Sequence, residues 1–191
     1  MNEVEIKSVI ERYSAISPAS YEEFLKGLEE LSVSKGTDFI RKDGREFYEY
    51  IILDGICRSY LINPSGDEVT ISLFGDQSVL SPYITRTREG LSTLNFQAIT
   101  DTRMVKFSAS DFEELMVQNL EFREWGNEVL KHELAMKVSR EIDLASITAK
   151  ERLFKFRELF PMFENLIPHP IIASYLGITN VSLSRLRKTT M

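Results

Sequence analysis

The hydrophobic positions of this chain change period twice along its length. Residues 4–31 read as helical: Val4, Ile6, Val9, Ile10 and Tyr13 form one apolar group. Ser17-Pro18 breaks the pattern, and Ser20 is placed to cap a second helix carrying Tyr21, Phe24, Leu25, Leu28 and Leu31. From Val33 the runs become short and β-rich, punctuated by Gly36, Gly44, Gly55, Gly66 and Gly75. Residues 48–54 predict a strand that turns at Gly55, and residues 56–62 a second. Asn63-Pro-Ser-Gly66 is a tight turn, and residues 68–74 return from it. Residues 94–99 and 102–107 add two more strands, with Thr100-Asp101 between them. Strands this short at this spacing predict a barrel or sandwich.

Helical spacing resumes at Ser110 and runs to about Ala145. Ser108 or Ser110 can cap this helix, and Glu113 completes a capping-box pattern with Ser110. Its later part carries two apolar stripes. Leu130, Leu134, Val138, Ile142 and Ala145 lie on one side, and Trp125, Val129 and Met136 lie roughly opposite. A helix on a monomer surface needs one stripe. The second stripe is satisfied either within the chain or by a second copy of it. Ser146-Ile147-Thr148 is a short break, and Thr148 with Glu151 reads as a capping box for a helix through Phe160, stopped by Pro161.

Pro168-His169-Pro170 then introduces two short helices around a glycine. Ile171, Ile172, Tyr175 and Leu176 give the first an apolar face, and Ala173 is small where a second helix would cross closely. Gly177 sits where a left-handed residue ends the first helix. Thr179 can cap the second, whose buried side is Leu183 and Leu186. Asn180, Val181, Ser182, Ser184, Arg185 and Arg187 are left to face outward. Such a pair predicts a helix-turn-helix that lays its second helix in the DNA major groove.

Charge sharpens this picture. The net charge of -6 is unevenly divided. Residues 150–191 hold seven Lys/Arg against three Glu, or +4, while residues 1–149 hold sixteen against twenty-six, or -10. The positive charge lies with the helix-turn-helix, where phosphates would be. Cys57 is the single cysteine, which fits a reducing cytoplasm. No signal-peptide pattern opens the chain and no apolar run is long enough to span a membrane, so a cytoplasmic location is expected.

In order along the chain, Lys35-Gly36, Gly44, Leu53-Asp-Gly55, Asn63-Pro-Ser-Gly66-Asp-Glu and Phe74-Gly75 follow a glycine cadence. Residues 98–107 close it, and Leu176-Gly-Ile-Thr with Leu183-Ser-Arg185 ends it. This order resembles the bacterial cyclic-AMP receptor/FNR (Crp/Fnr) family of transcription regulators. The resemblance implies an α+β fold. It comprises a helical lead-in and cyclic-nucleotide-binding-like β-roll (jelly-roll) over residues 1–110, a long dimerisation helix over 111–146 and a helix-turn-helix over 147–191. It implies DNA with a near-palindromic operator as partner, a homodimer joined through Leu130, Leu134, Val138 and Ile142, and RNA polymerase as a further partner the family allows.

By the same resemblance, Asn180, Val181 and Arg185 occupy base-contacting positions. Thr179, Ser182, Ser184, Arg187 and Lys188 are the expected phosphate contacts. The effector pocket would involve Gly75, Asp76, Gln77, Ser78, Arg86, Arg88, Ser92 and Thr93. Nucleotide-binding members hold the ribose with a Glu and the cyclic phosphate with an Arg. Here no Glu follows Gly75 nearby, and Ser92 falls where the Arg is expected. Cyclic AMP is therefore not the expected effector, and the effector stays unassigned. Arg86 and Arg88 could substitute from the loop, though both read more readily as solvated surface. The family continues past the recognition helix into a small β wing, whereas this sequence stops at Lys188-Thr-Thr-Met191.

Other classes find less support. His132 and His169 both lie outside the β-region, so a paired-histidine metal site is not expected in the roll, and no cofactor is. No Gly-rich phosphate loop and no nucleophile–base motif point to an enzyme. A small-molecule-binding or protein-interaction module with lapsed DNA binding is the alternative.

Overall fold

The structure, a computed structural model, describes residues 2–189. Thr190 and Met191, at the end of the segment on which the expectation of a missing wing rests, lie outside the described residues. Two helices lead the chain, α1 (Glu3–Glu11), capped by the Asn2 side chain, and α2 (Pro18–Leu25). Ser17, not Ser20, caps α2: its hydroxyl accepts from the Ser20 amide, and Pro18 takes the first helical position, where no N–H is needed. Val4 is exposed, and the buried face of α1 is Ile6, Val9 and Ile10. The expected helix through Leu31 is cut short. Residues Glu29–Val33 form β1 and pair antiparallel with residues 102–106, far along the chain. That long-range partner overrides local helical spacing.

The roll follows as β2 (Asp38–Ile40), β3 (Tyr48–Asp54), β4 (Cys57–Ile62), β5 (Glu68–Phe74) and β6 (Ser78–Val79). Then come α3 (Tyr83–Arg86), β7 (Thr87–Arg88), β8 (Leu91–Ser92), β9 (Asn95–Ala98) and β10 (Thr102–Ser108). Two four-stranded antiparallel sheets face each other in the orders β1-β10-β3-β6 and β2-β9-β4-β5, and β7 and β8 make a small hairpin. Gly55, at φ +104°, turns β3 into β4; a Cβ there would lie 2.6 Å from the Asp101 carbonyl oxygen, so only glycine fits. Asn63 Oδ1 accepts from the Ser65 and Asp67 amides, 2.9 Å each, and fixes the β4–β5 turn. Phe39, Tyr50, Phe74 and Phe96 touch ring to ring between the sheets. Cys57 is buried in β4, and burial pushes its thiol up to about 12.

The expected single helix after the roll is two: α4 (Ala109–Gln118) and α5 (Leu120–Ser146). Asn119 is extended at φ -126°, ψ 117°, and its side chain caps α5 through the Glu121 amide at 2.9 Å. Asn competes with helical hydrogen bonding in this way, so a break costs little there. Ser108 caps α4, and Ser110 lies inside that helix rather than at its cap. Trp125 and Val129 bury one face of α5 among Phe24, Phe107, Phe112 and Phe122. The opposite stripe is open, with Leu134 65%, Val138 45% and Ile142 56% exposed.

Past Ile147 lie α6 (Ala149–Leu159), α7 (Phe163–Leu166), α8 (His169–Tyr175) and α9 (Asn180–Thr189). Thr148 and Glu151 form the reciprocal capping box of α6. Leu153, Phe156, Phe163, Ile172, Leu176 and Leu183 make a core that also takes in Ile56, Leu73 and Ile99 of the roll. The C-terminal helices are thus docked on the β-roll, not tethered beside it. No helix among the described residues is long and apolar enough to cross a membrane.

Candidate nucleic-acid interface

α8 and α9 build the interface from their shared buried side. Ile172, Ala173, Leu176 and Leu183 are buried, and the Ile178 amide bonds back to the Ala173 carbonyl at 3.0 Å. Gly177, at φ +67°, ends α8; a Cβ there would sit 3.0 Å from Leu144 of α5. Thr179 caps α9, its hydroxyl accepting from the Ser182 amide at 3.2 Å. The turn therefore sets the angle at which α9 leaves the domain.

What α9 presents outward is one continuous helical face: Asn180, Val181, Ser184, Arg185 and Lys188 are all exposed. Arg185 makes no side-chain hydrogen bond or ion pair among the described residues, so its guanidinium is free to pair with an external acceptor. Arg187 does not face outward as expected. Its Nε donates to Glu164 Oε1 at 2.6 Å, and its Nη1 lies 2.7 Å from His169 Nε2. Glu164 also accepts from Arg157 Nε at 2.6 Å. These hydrogen bonds, first from Arg157 and then from Arg187, hold the Glu164 carboxyl below its ordinary value. Arg187 lies two helical turns past Asn180, on the same side of α9, and its side chain reaches Glu164 of α7, a partner that a list of polar residues does not reveal. Ser182 is half-buried through its contact with Thr179.

The residues expected to form an effector pocket are dispersed, and most of their polar groups are already used. Asp76 Oδ1 accepts from the Gly55 amide at 2.7 Å, and Gln77 uses its carbonyl for Arg12 at 2.7 Å. Ser92 is buried, with its hydroxyl on the Leu94 carbonyl at 2.7 Å, and Thr93 donates to the Arg86 carbonyl at 3.0 Å. Arg88 is exposed, as the solvated reading of it requires. Arg86 is not surface: 1% exposed, it lies under α3 and donates to the carbonyls of Ser81, at 2.9 Å, and Tyr48. Glu46 and Glu49 approach its guanidinium at 3.7 and 3.9 Å. A four-residue helix turned its side chain inward, where two carboxylates neutralise it. Burial pushes Glu49 up to about 7, against the opposing pull of Arg86. Gly75 and Ser78 alone of the set line a cavity of about 150 Å³ between β5, β6 and α5, with Lys137, Arg140 and Tyr175 at its other walls. Among the described residues no cluster of three or more His, Cys, Asp or Glu could hold a metal ion.

Three residues in contact with these parts carry no motif in the sequence. Ser174 of α8 bonds to the backbone of β5, Arg140 of α5 reaches α8, and His169 meets Arg187. The amphipathic spacing of α8 and α5 marks their buried faces, but not which polar residue on the rim finds a partner.

Comparison with known proteins follows the same division. The cyclic nucleotide-binding domain family matches residues 30–119, the span of the β-roll and α4. No curated protein sequence matches the chain. FixK2 from Bradyrhizobium japonicum superposes with a TM-score of 0.72 and 22% identity, covering 85% of this chain and 83% of its own. A CooA double variant from Carboxydothermus hydrogenoformans gives 0.72 and 19%, covering 95% and 83%. CLP of Xanthomonas campestris, a global regulator responsive to c-di-GMP, gives 0.70 and 13%, covering 91% of both chains. The chain is thus similar to the cyclic nucleotide-binding domain family over residues 30–119 and shares its overall fold with solved structures that include a putative transcriptional regulator of the Crp/Fnr family.

Proposed function

We propose that the protein is a transcriptional regulator of the Crp/Fnr type that binds DNA as a homodimer and has no enzymatic role. The observation that carries this reading is the exposed face of α9, where Asn180, Val181, Ser184, Arg185 and Lys188 stand together on a helix whose other side is buried. Asn180 pairs with the N6 and N7 of adenine, Arg185 with the O6 and N7 of guanine, and Val181 meets a thymine methyl. Thr179, Ser182, Ser184 and Lys188 set the register on phosphates. Arg187 contributes there only after leaving Glu164, so its main work is to hold α9 on α7.

Leu130, Leu134, Val138 and Ile142 join two copies along α5, supported by the exposure of the last three on the side away from buried Trp125 and Val129. Two copies present two α9 helices to half-sites about one helical turn apart, hence a near-palindromic operator. The working units are the roll through residue 110, the helical stretch 111–146 with its break at Asn119, and the helix-turn-helix from 147. Cyclic AMP is not the effector, because Ser92 offers no charge and Arg86 is bound inside the protein.

A salt titration of binding to mixed-sequence duplex DNA tests the reading. Steep loss of affinity with salt is the expected result, since each phosphate contact releases counterions. Absence of binding at low salt would contradict it.

A further inference from the structure

Strand β5 is held on two sides by side chains from outside the roll. Toward α5, Lys137 Nζ donates to the Ser72 hydroxyl and lies 3.4 Å from the Glu133 carboxylate. Glu133 in turn accepts from the Ser81 hydroxyl at 2.7 Å, so α5 is pinned both to β5 and to the segment entering α3. Toward the C-terminal helices, β5 is the free edge of its sheet. Ser174 of α8 occupies that edge as a neighbouring strand would. Its hydroxyl accepts from the Thr70 amide at 2.8 Å and donates to the Glu68 carbonyl at 3.0 Å. Arg140 closes the triangle, its Nη2 reaching the Tyr175 carbonyl at 2.9 Å and the Thr70 carbonyl at 3.3 Å. Its guanidinium lies 4.8 Å over the Tyr175 ring. Just past β5, the Phe163 ring is seated on Gly75, where a Cβ would come within 2.8 Å of it.

We propose that β5 is a built-in lock. Through Ser72, Thr70 and Glu68 it ties α5 and α8 to one strand, so the pose of α9 is fixed by the chain's own side chains and needs no bridging ligand. The physical reason is that α6–α9 leave α5 through two extended residues, Ile147 and Thr148, and that α8 itself is only seven residues long. Such a short linker leaves the recognition unit free to reorient unless an interface holds it. An unpaired strand edge supplies backbone donors and acceptors that must be satisfied, and Ser174 and Arg140 satisfy them. β5 engages α5 through the Ser72 side chain and α8 through its edge backbone at Thr70 and Glu68.

The proposal rests on the DNA-binding reading for its DNA arm alone. Hydrogen exchange on the full chain, without DNA, reads the lock directly. The Thr70 amide should be protected in the wild type and exchange roughly tenfold faster in Ser174→Ala, with Ser174→Thr, which keeps the hydroxyl, restoring protection. Lys137→Met should speed protease cleavage between residues 146 and 148 while leaving helix content unchanged. Equal Thr70 exchange in wild type and Ser174→Ala would overturn the lock. For the DNA arm, wild-type protein refolded from denaturant, and so stripped of small molecules, should bind duplex DNA as tightly as unstripped protein, with Ser174→Ala weaker by roughly tenfold. Loss of binding on stripping would overturn ligand independence. If neither preparation binds DNA, the regulator reading fails while the exchange result still decides the lock.

Discussion

Arg187 and Glu164 share a hydrogen bond of 2.6 Å between Nε and Oε1, and this bond turns one cation of the recognition helix into the protein. The two side chains are 25% and 15% exposed, so water screens the pair only in part. Arg187→Ala is expected to lower the unfolding free energy by about 1–2 kcal/mol, as for loss of a partly screened charged hydrogen bond. Arg185→Ala should leave it within about 0.5 kcal/mol, as for other exposed substitutions. Urea unfolding of both variants checks the contrast. Equal loss of stability would show that Arg185, too, is held by the fold. Because the folded state depresses Glu164, its contribution is present above the unfolded pKa and disappears as pH falls through the folded one.

Glu49 has the opposite sign. Burial raises its folded pKa to about 7 from 4.5, so the folded state holds the proton more tightly than the unfolded chain. Stability should therefore fall as pH rises from about 4.5 to about 7, by on the order of 2 kcal/mol from this group. Glu49→Gln should flatten that part of the profile. Unfolding measured from pH 5 to 8 decides this, and an unchanged slope in Glu49→Gln would assign the dependence to another group.

Much of this architecture is legible in the sequence, and the misses share a cause. β4, β5 and their Asn63–Gly66 turn follow from alternation and turn chemistry, and α8, Gly177 and α9 from spacing and capping. β1 was hidden because Leu28 and Leu31 fit a helix as well as a strand, and only β10 decides between them. Asn119 broke a helix that apolar spacing carried straight through. In the site, the outward face of α9 was readable from Leu183 and Leu186, which fix the buried side. Arg187 and Arg86 were not, since a cation's partner lies elsewhere in the chain: Glu164 for one, and Glu46 and Glu49 for the other.

The open stripe of α5 should join two copies. Leu134 and Val138 changed together to Asp would bury unpaired charges at that seam, and the protein should sediment as a monomer with its helix content intact. A wild-type protein already monomeric at micromolar concentration would remove the homodimer.

Cyclic AMP and cyclic GMP should not bind at micromolar concentration, as calorimetry would show. A cyclic phosphate needs a charge-assisted partner, and Ser92 supplies only a hydroxyl already bonded to the Leu94 carbonyl. Arg86→Ala should destabilise the roll by about 3 kcal/mol or more, because it leaves Glu46 and Glu49 buried without their cation. Stable folding of that variant, or micromolar nucleotide affinity of the wild type, would show Arg86 to be available for a ligand.

The central claim is that the outward face of α9 reads DNA sequence. Binding-site selection from random duplexes, run in parallel on the wild type and Arg185→Ala, tests it most directly. The wild type should select a near-palindrome with a guanine at one position of each half-site. In Arg185→Ala that position should become degenerate while the others persist, at a cost of about 1–3 kcal/mol in affinity. A wild type that selects no sequence, or a variant that keeps the same guanine, would contradict the account.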